Sequence, residues 1–214
     1  MEFNISITIL IIAITVVISL IGFSNREALG KLIFSPTQIG DHNEYYRFIT
    51  SGFVHLDFTH LLFNMIVLWS FGTFVEEDIF RYYHPEGYKT LYILLYISAL
   101  VVSDIPTYLK HRHNSGYLGL GASGAVSAVM FVSILFQPFG TIALYGFIKM
   151  PAIVWGVAYL AYEYFAGRRG RDNINHDAHL WGALYGLVFV VAIHPPIIIG
   201  FANKLSHFFQ LIHS

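Results

Sequence analysis

The sequence has no cysteine and little charge. Charged side chains make up 12% of its 214 residues and hydrophobic ones 56%, whereas a soluble domain carries about 25% charge. The absence of cysteine excludes disulfides, thiolate metal sites and cysteine nucleophiles. A formal net charge of −1, without a long basic run, argues against a nucleic-acid partner. The composition therefore predicts an integral membrane protein.

The apolar segments predict six transmembrane helices in a single domain that covers residues 1–214. A helix needs about 20 mostly apolar residues to cross a bilayer, and six runs approach that length. We expect the acidic residues 76–78 to close the second span, Pro106 to mark the exit of the third, and residues 201–214 to form a short amphipathic tail. The expected spans are about 5–21, 55–75, 88–102, 121–137, 147–165 and 177–193.

A polar stretch separates the first two predicted spans. It runs from Arg26 to about Phe53, which is too long for a simple connection in a compact protein. Its aromatic-basic patch, Tyr45-Tyr46-Arg47, is typical of a membrane interface. We expect an irregular loop that lies at that interface.

Polar side chains stand near the start of three predicted spans. The second span carries His60 and Asn64, the fourth Ser123 and the sixth His179. Such side chains are costly at membrane depth, so they indicate a functional site. Spans two, four and six begin on the same side of the membrane, because each span reverses the direction of the chain. The four side chains can therefore meet in one cavity below one surface.

The types of these side chains fit nucleophilic catalysis. Ser123 lies in Gly121-Ala122-Ser123-Gly124, at a helix start whose first amides have no intrahelical partner and can receive negative charge. His179 is the candidate general base. His60 and Asn64, with the Ser123 amide, are the candidate oxyanion donors.

The sequence offers no obvious third member for a catalytic triad. Asp177 lies two residues from His179 and would point elsewhere on a regular helix. We therefore expect a Ser–His dyad.

Each candidate also has an alternative interpretation. The small residues around Ser123, and the stripe formed by His179, Gly182 and Gly186, can serve close helix packing, and His60 and Asn64 can hydrogen-bond between helices. His55 and His176 are expected to support the site without belonging to it. His60, His176 and His179 could instead bind zinc, but the sequence has neither an H-E-x-x-H motif nor cysteine, so we expect no metal and no cofactor.

Taken together, the motifs resemble those of the rhomboid family of intramembrane serine proteases. The resemblance covers nearly the whole chain. It rests on G-x-S-G around Ser123, on His60-x3-Asn64 in the second span and on His179-x2-Gly182-x3-Gly186 in the sixth. It implies an all-α membrane protein, a six-helix rhomboid-like bundle with a long membrane-embedded first loop. It also implies a Ser123–His179 dyad with an oxyanion site at His60 and Asn64.

Three further positions can be compared with the family. Tyr46-Arg47 resembles an aromatic-Arg pair of the first loop, and Glu76 matches a position that helps to anchor that loop. Ser127 departs from the pattern, because many members carry there an aromatic residue that stacks on the catalytic histidine. The resemblance therefore does not show how His179 is held.

The resemblance implies an endopeptidase that cuts transmembrane or membrane-adjacent segments of other proteins in the lipid bilayer. One alternative is a non-catalytic rhomboid-like protein that binds membrane clients, which the intact Ser123 and His179 disfavour. Another is a small-molecule transporter, which the lack of paired intramembrane carboxylates and of interrupted spans disfavours.

Two further expectations concern substrate entry and orientation. Trp155, Tyr159 and Tyr162 form one aromatic stripe on the fifth span. This stripe either faces lipid or closes the seam with the second span, where substrates enter in the family.

Eight of the 12 Lys and Arg residues fall in loops that the family topology places outside, against the positive-inside rule. We follow the family, which implies a bacterial plasma membrane with the site on the extracytoplasmic side.

Overall fold

The computed structural model describes residues 5–144, 148–170 and 172–213. Helices account for most of them, and one short antiparallel hairpin pairs β1 with β2. A 3-10 turn, Ser51–Phe53, follows the fourth helix directly. The elements in chain order are α1 (Ile7–Ser24), α2 (Arg26–Leu32), α3 (Pro36–His42), α4 (Arg47–Thr50), α5 (Phe58–Tyr83), α6 (Tyr88–His111), α7 (Ser123–Phe136), β1 (Thr141–Leu144), β2 (Ile148–Pro151), α8 (Ala152–Arg169), α9 (His176–Ile193) and α10 (Ile197–His213).

Four of the described helices, α1, α5, α6 and α9, are long and apolar enough to cross a membrane. Helix α7 is also apolar but has only 14 residues. The predicted fold class, a helical membrane protein, is confirmed, whereas the count of six spans stays a prediction.

The centre of the molecule is α7, which is buried along almost its whole length. Helix α9 packs closely along it because glycines face small residues. A Cβ atom built on Gly182 would overlap the carbonyl oxygen of Gly124, and one on Gly186 would overlap that of Ala128. The close-packing role of these small residues is therefore real, and it fixes the distance between the first turns of α7 and α9.

Helix α5 does not end at residues 76–78, where the sequence predicts that the second span closes. Helix α5 is a regular α-helix over Phe58–Val67 and continues through π-helical turns to Tyr83. The acidic run does not end it, because Glu76 points inward and is fully buried.

Glu76 binds the start of α1 rather than the first loop. Its carboxylate accepts hydrogen bonds from the amides of Ile7 (2.6 Å) and Thr8 (2.8 Å) and from the hydroxyl of Ser6 (2.7 Å). These groups belong to a helix N-terminus, which favours negative charge. The loop-anchoring role that the resemblance implied for Glu76 is therefore not observed.

Helix α6 likewise does not end at Pro106, the predicted exit of the third span, but continues to His111. Polar contacts to the start of α9 stabilise these last turns. Thr107 Oγ1 donates to Asn175 Oδ1 at 2.9 Å, and Lys110 Nζ lies 2.8 Å from Asp177 Oδ2. These contacts offset part of the cost of Pro106, which removes one helical hydrogen bond.

The fifth helix starts later than the sequence predicts. The expected first residue, Phe147, lies outside the described residues, and Ile148–Pro151 form β2 before α8 begins at Ala152. The amides of Ala152 and Ile153 donate to the carbonyls of Gly140 and Pro138, at 2.8 Å each. Helix α10, by contrast, begins at Ile197, which is earlier than the expected tail 201–214.

The first loop is ordered rather than irregular, because α2, α3 and α4 are built into it. Arg47 lies buried at its centre. Its Nη1 atom donates to the carbonyl oxygens of Gly30 (2.9 Å) and Ile33 (2.8 Å), and Nε binds Glu44 at 2.5 Å. Arg47 is thus the residue that fastens this loop.

Candidate active site

Ser123 and His179 meet where α7 and α9 begin. The Nε2 atom of His179 lies 2.7 Å from Ser123 Oγ. Both side chains are half-buried. A serine hydroxyl at hydrogen-bond distance from an imidazole nitrogen is the arrangement in which histidine can take the serine proton.

The turn before Ser123 requires glycine at position 121. Gly121 has a φ of 121°, a conformation that side chains with Cβ rarely adopt. A Cβ atom there would also lie 2.7 Å from Cε1 of His60. The amide of Gly121 donates to the carbonyl of Ser51 at 2.9 Å. The ring of His60 and the backbone of Ser51 therefore both fix this turn.

The two predicted oxyanion residues, His60 and Asn64, make different contacts from each other. The ring of His60 packs against Gly121, two residues before Ser123. The Nδ2 atom of Asn64, which is buried, donates to the carbonyl of His60 at 2.9 Å. A side-chain amide nitrogen carries two N–H donors, so this bond leaves the second N–H of Asn64 for another acceptor. The role of His60 and Asn64 as oxyanion donors stays a prediction.

His55 contacts the turn before Ser123 and supports the site without belonging to it, as expected. Its Nε2 atom accepts from the amide of Ala122 at 3.4 Å, and its Nδ1 atom lies 3.0 Å from Ser19 Oγ in α1. Because a backbone N–H can only donate, Nε2 of His55 is the ring nitrogen that accepts this hydrogen bond.

A carboxylate that was not among the predicted site residues reaches His179. Glu163 on α8 places Oε1 3.1 Å from His179 Nδ1, and its side chain is only 4% exposed. Because it lies on a different helix, 16 residues before His179, local spacing could not reveal it. The usable signal was a glutamate inside a predicted apolar span, which is costly unless it has a role.

His176 extends this contact toward the surface. Its Nδ1 atom lies 2.5 Å from Glu163 Oε2, and its Nε2 atom 3.0 Å from Oδ1 of Asp172 in the loop before α9. The amide of Ile174, and to a smaller degree His176, lowers the pKa of Asp172, so this acceptor is a carboxylate. One continuous chain of polar contacts therefore joins Asp172, His176, Glu163, His179 and Ser123.

An aromatic ring does stack on His179, and it comes from α8. The rings of Tyr159 and His179 are inclined by 20°, with centroids 6.4 Å apart. The Tyr159 hydroxyl lies 2.7 Å from Ser127 Oγ. Tyr159, which the sequence assigned to a stripe facing lipid or the seam, thus also contacts the site.

The same side chains offer a set of ligands that a metal could use. Glu163, His176 and His179 place three ligand atoms within 4.8 Å of one another, and among the described residues this cluster does not include His60. The two carboxylate oxygens each already face one ring nitrogen. Coordination at these atoms would displace both contacts, so the hydrogen-bonded arrangement accounts for the cluster without an ion.

A small polar cavity of about 20 Å³ adjoins Ser123. It is close to the space that one water molecule needs. Ser103, Asp104 and Asn175 contribute polar atoms to its lining. The site therefore combines a serine–histidine contact, free first-turn amides and a polar recess beside the serine.

Comparison with known proteins identifies the same region. The family model of the Rhomboid domain matches residues 42–196. RHOMBOID-like protein 12, mitochondrial, from Arabidopsis thaliana is 34% identical over 154 residues, which cover 64% of this chain and 43% of that protein. Presenilin-associated rhomboid-like protein, mitochondrial, from Homo sapiens is 30% identical over 150 residues, covering 68% of this chain and 37% of that protein.

A bacterial relative is similar in length. YdcA of Bacillus subtilis (strain 168), named as a candidate rhomboid protease, is 29% identical over 147 residues, which cover 69% of this chain and 66% of that protein. The match spans less than half the length of the two mitochondrial relatives.

Proposed function

This chain belongs to the rhomboid family, and we propose that it is an intramembrane serine endopeptidase. The single observation that carries the proposal is the 2.7 Å separation between Ser123 Oγ and His179 Nε2. Neither side chain is needed to hold α7 against α9, because the glycine contacts already do so. The pair is therefore available for chemistry.

The reaction follows from the positions of these groups. Ser123 Oγ attacks the carbonyl carbon of the scissile bond while Nε2 of His179 takes its proton. The carbonyl oxygen becomes an oxyanion, and the Ser123 amide, His60 and Asn64 donate hydrogen bonds to it. His179 then protonates the leaving amine, and the acyl-enzyme is hydrolysed by water that the same histidine activates.

The proposed substrates are transmembrane or membrane-adjacent segments of other proteins. A backbone inside a helix has its carbonyls in hydrogen bonds, so a segment must unwind before it reaches Ser123. Helix-weakening residues near the cut are therefore expected. The relatives include proteins named mitochondrial and one from a bacterium, so their names do not point to one compartment. The bacterial plasma membrane, and the extracytoplasmic side for the site, stay predictions.

Incubation with a reporter transmembrane substrate in detergent tests this function. The wild-type chain should cut the substrate, and Ser123→Ala should not, while Ser70→Ala, which changes an exposed serine of α5, should retain full activity. Mass spectrometry of the products locates the cut. A wild-type chain that binds the substrate without cutting it would favour the alternative, a non-catalytic protein that holds membrane clients.

A further inference from the structure

We propose that Glu163 is a positioning residue of the catalytic machinery, which holds His179 in the one tautomer that can activate Ser123. The inference rests on the proposed protease function and adds a third member to the expected dyad. Glu163 touches no reacting atom, and it acts through His179.

The contacts of Glu163 leave little freedom to its carboxylate. Oε1 lies 3.1 Å from His179 Nδ1, and Oε2 lies 2.5 Å from His176 Nδ1. The side chain is 4% exposed. A buried carboxylate is costly without partners, and here each oxygen has one.

The bond at Nδ1 decides which nitrogen carries the proton. A carboxylate can only accept, so His179 Nδ1 must be the protonated nitrogen. Nε2 of the neutral ring is then the nitrogen with a lone pair, and it faces Ser123 Oγ. The opposite tautomer would direct an N–H at the serine and could not accept its proton. Glu163 also favours the imidazolium that forms once Ser123 has given up its proton.

The remaining neighbours fix Glu163 itself. His176 is bound between Glu163 and Asp172, which orients the carboxylate from the loop side. Tyr159, four residues before Glu163, stacks on the same imidazole. Residues four apart share one helix face, so α8 presents both groups that hold His179. The charged or titratable groups near His179 are Glu163 and Tyr159 on α8, His176 on α9, His60 on α5 and Asp172 through His176.

Two substitutions of Glu163 separate positioning from packing. Glu163→Gln keeps the volume but replaces one acceptor by an amide that can donate to Nδ1, whereas Glu163→Asp keeps the charge with a shorter reach. We expect Glu163→Gln to lower kcat by roughly 10²- to 10⁴-fold with little change in KM. Glu163→Asp should retain more of kcat than Glu163→Gln. If the isosteric Gln variant is instead as active as Asp or more so, Glu163 fills space and the proposal is overturned.

A matched control uses the same chemical change elsewhere. Glu77→Gln on α5 removes a carboxylate that pairs with Arg81, outside the site, and should leave kcat and KM unchanged. Reporter cleavage by the wild-type chain but not by Ser123→Ala establishes the proposed function independently. The two experiments therefore distinguish a failure of the proposed protease function from a failure of the Glu163 proposal.

Nitrogen-15 spectra of the histidine-labelled full chain test the tautomer without relying on activity. The signals of His179 are identified by their absence in His179→Asn. We expect a protonated Nδ1 and an unprotonated Nε2 in the wild-type chain, and a larger Nε2–H population in Glu163→Gln. A wild-type ring protonated mainly at Nε2 would overturn the proposal. So would a loss of cleavage on treatment with EDTA that zinc restores, because the cluster would then be a metal site.

Discussion

The hydroxyl of Tyr159 lies 2.7 Å from Ser127 Oγ, although the two residues stand on different helices. Ser127 occupies the position at which many family members carry the aromatic residue that stacks on the catalytic histidine. Here Tyr159 supplies that ring from α8, nearly parallel to His179. A small side chain at position 127 leaves room for the ring, and its hydroxyl binds the phenol. This relationship answers how His179 is held.

The ring and the hydroxyl of Tyr159 are expected to contribute unequally. Tyr159→Ala removes the stacked ring and should lower kcat by roughly 3- to 10-fold, the equivalent of an aromatic contact worth about 1 kcal/mol. Tyr159→Phe keeps the ring and should change kcat by less than about 3-fold, because the lost hydrogen bond joins Tyr159 to Ser127 and not to His179. Steady-state cleavage of the reporter substrate measures both. Equal losses in the two variants would mean that the hydroxyl, not the ring, orients His179.

Connectivity was enough to predict that Ser123 and His179 meet. Both stand at the start of a span that begins on the same membrane side. The same reasoning could have included Glu163, because α8 runs in the opposite direction and its last turns reach that side. The predicted site includes only residues near helix starts, whereas Glu163 lies toward the end of α8. Tyr159 could not be assigned to the site, since the rotation of α8 about its axis depends on packing that one sequence does not reveal.

Two helices continue past the predicted ends of their spans, where tertiary partners override local signals. Charged residues are costly inside a membrane span, and proline usually ends a helix. Glu76 continues α5 because it binds the start of α1, and α6 passes Pro106 because Thr107 and Lys110 bind residues at the start of α9. Such contacts join residues 67 or more positions apart, beyond the reach of local patterns.

His60 and Asn64 are expected to assist the reaction without being essential. His60→Ala or Asn64→Ala should lower kcat by roughly 10- to 1,000-fold if each donates one hydrogen bond to the oxyanion. The change should fall on kcat more than on KM, because the charge develops only in the transition state. Unchanged rates in both variants would assign the two residues to packing.

The close approach of α7 and α9 should be intolerant of added volume. Gly182→Ala places a methyl group on the carbonyl of Gly124, so the helices must separate. We expect a loss of about 1–3 kcal/mol in the free energy of unfolding and a marked loss of cleavage. Thermal unfolding in detergent and reporter cleavage measure the two effects. Gly200→Ala on α10, where a Cβ atom meets nothing within 4 Å, is the control, and equal behaviour of the two variants would refute the packing argument.

Trp155 is expected to restrict substrate entry. It stacks on Tyr159, with centroids 4.9 Å apart. Like Val67 and Phe71 of α5, it packs against the buried cluster that includes Phe131, whereas Tyr162 of the predicted stripe is 56% exposed. Trp155→Ala should loosen this seam. The cleavage rate of a transmembrane substrate should rise relative to that of a short soluble peptide, which can enter from the aqueous face. Equal effects on both substrates, or slower cleavage of the transmembrane one, would rule out a gate.

Covalent labelling tests the central claim, activation of Ser123 by His179, most directly. A fluorophosphonate reagent should modify the intact wild-type protein at Ser123, as located by mass spectrometry of its peptides. The same reagent should leave Ser123 unmodified in folded His179→Ala, because no base remains at 2.7 Å from its hydroxyl. Ser70, an exposed serine of α5, should stay unlabelled in both proteins. Labelling of Ser123 at equal rates with and without His179, or no labelling of Ser123 in the wild-type chain, would contradict the account.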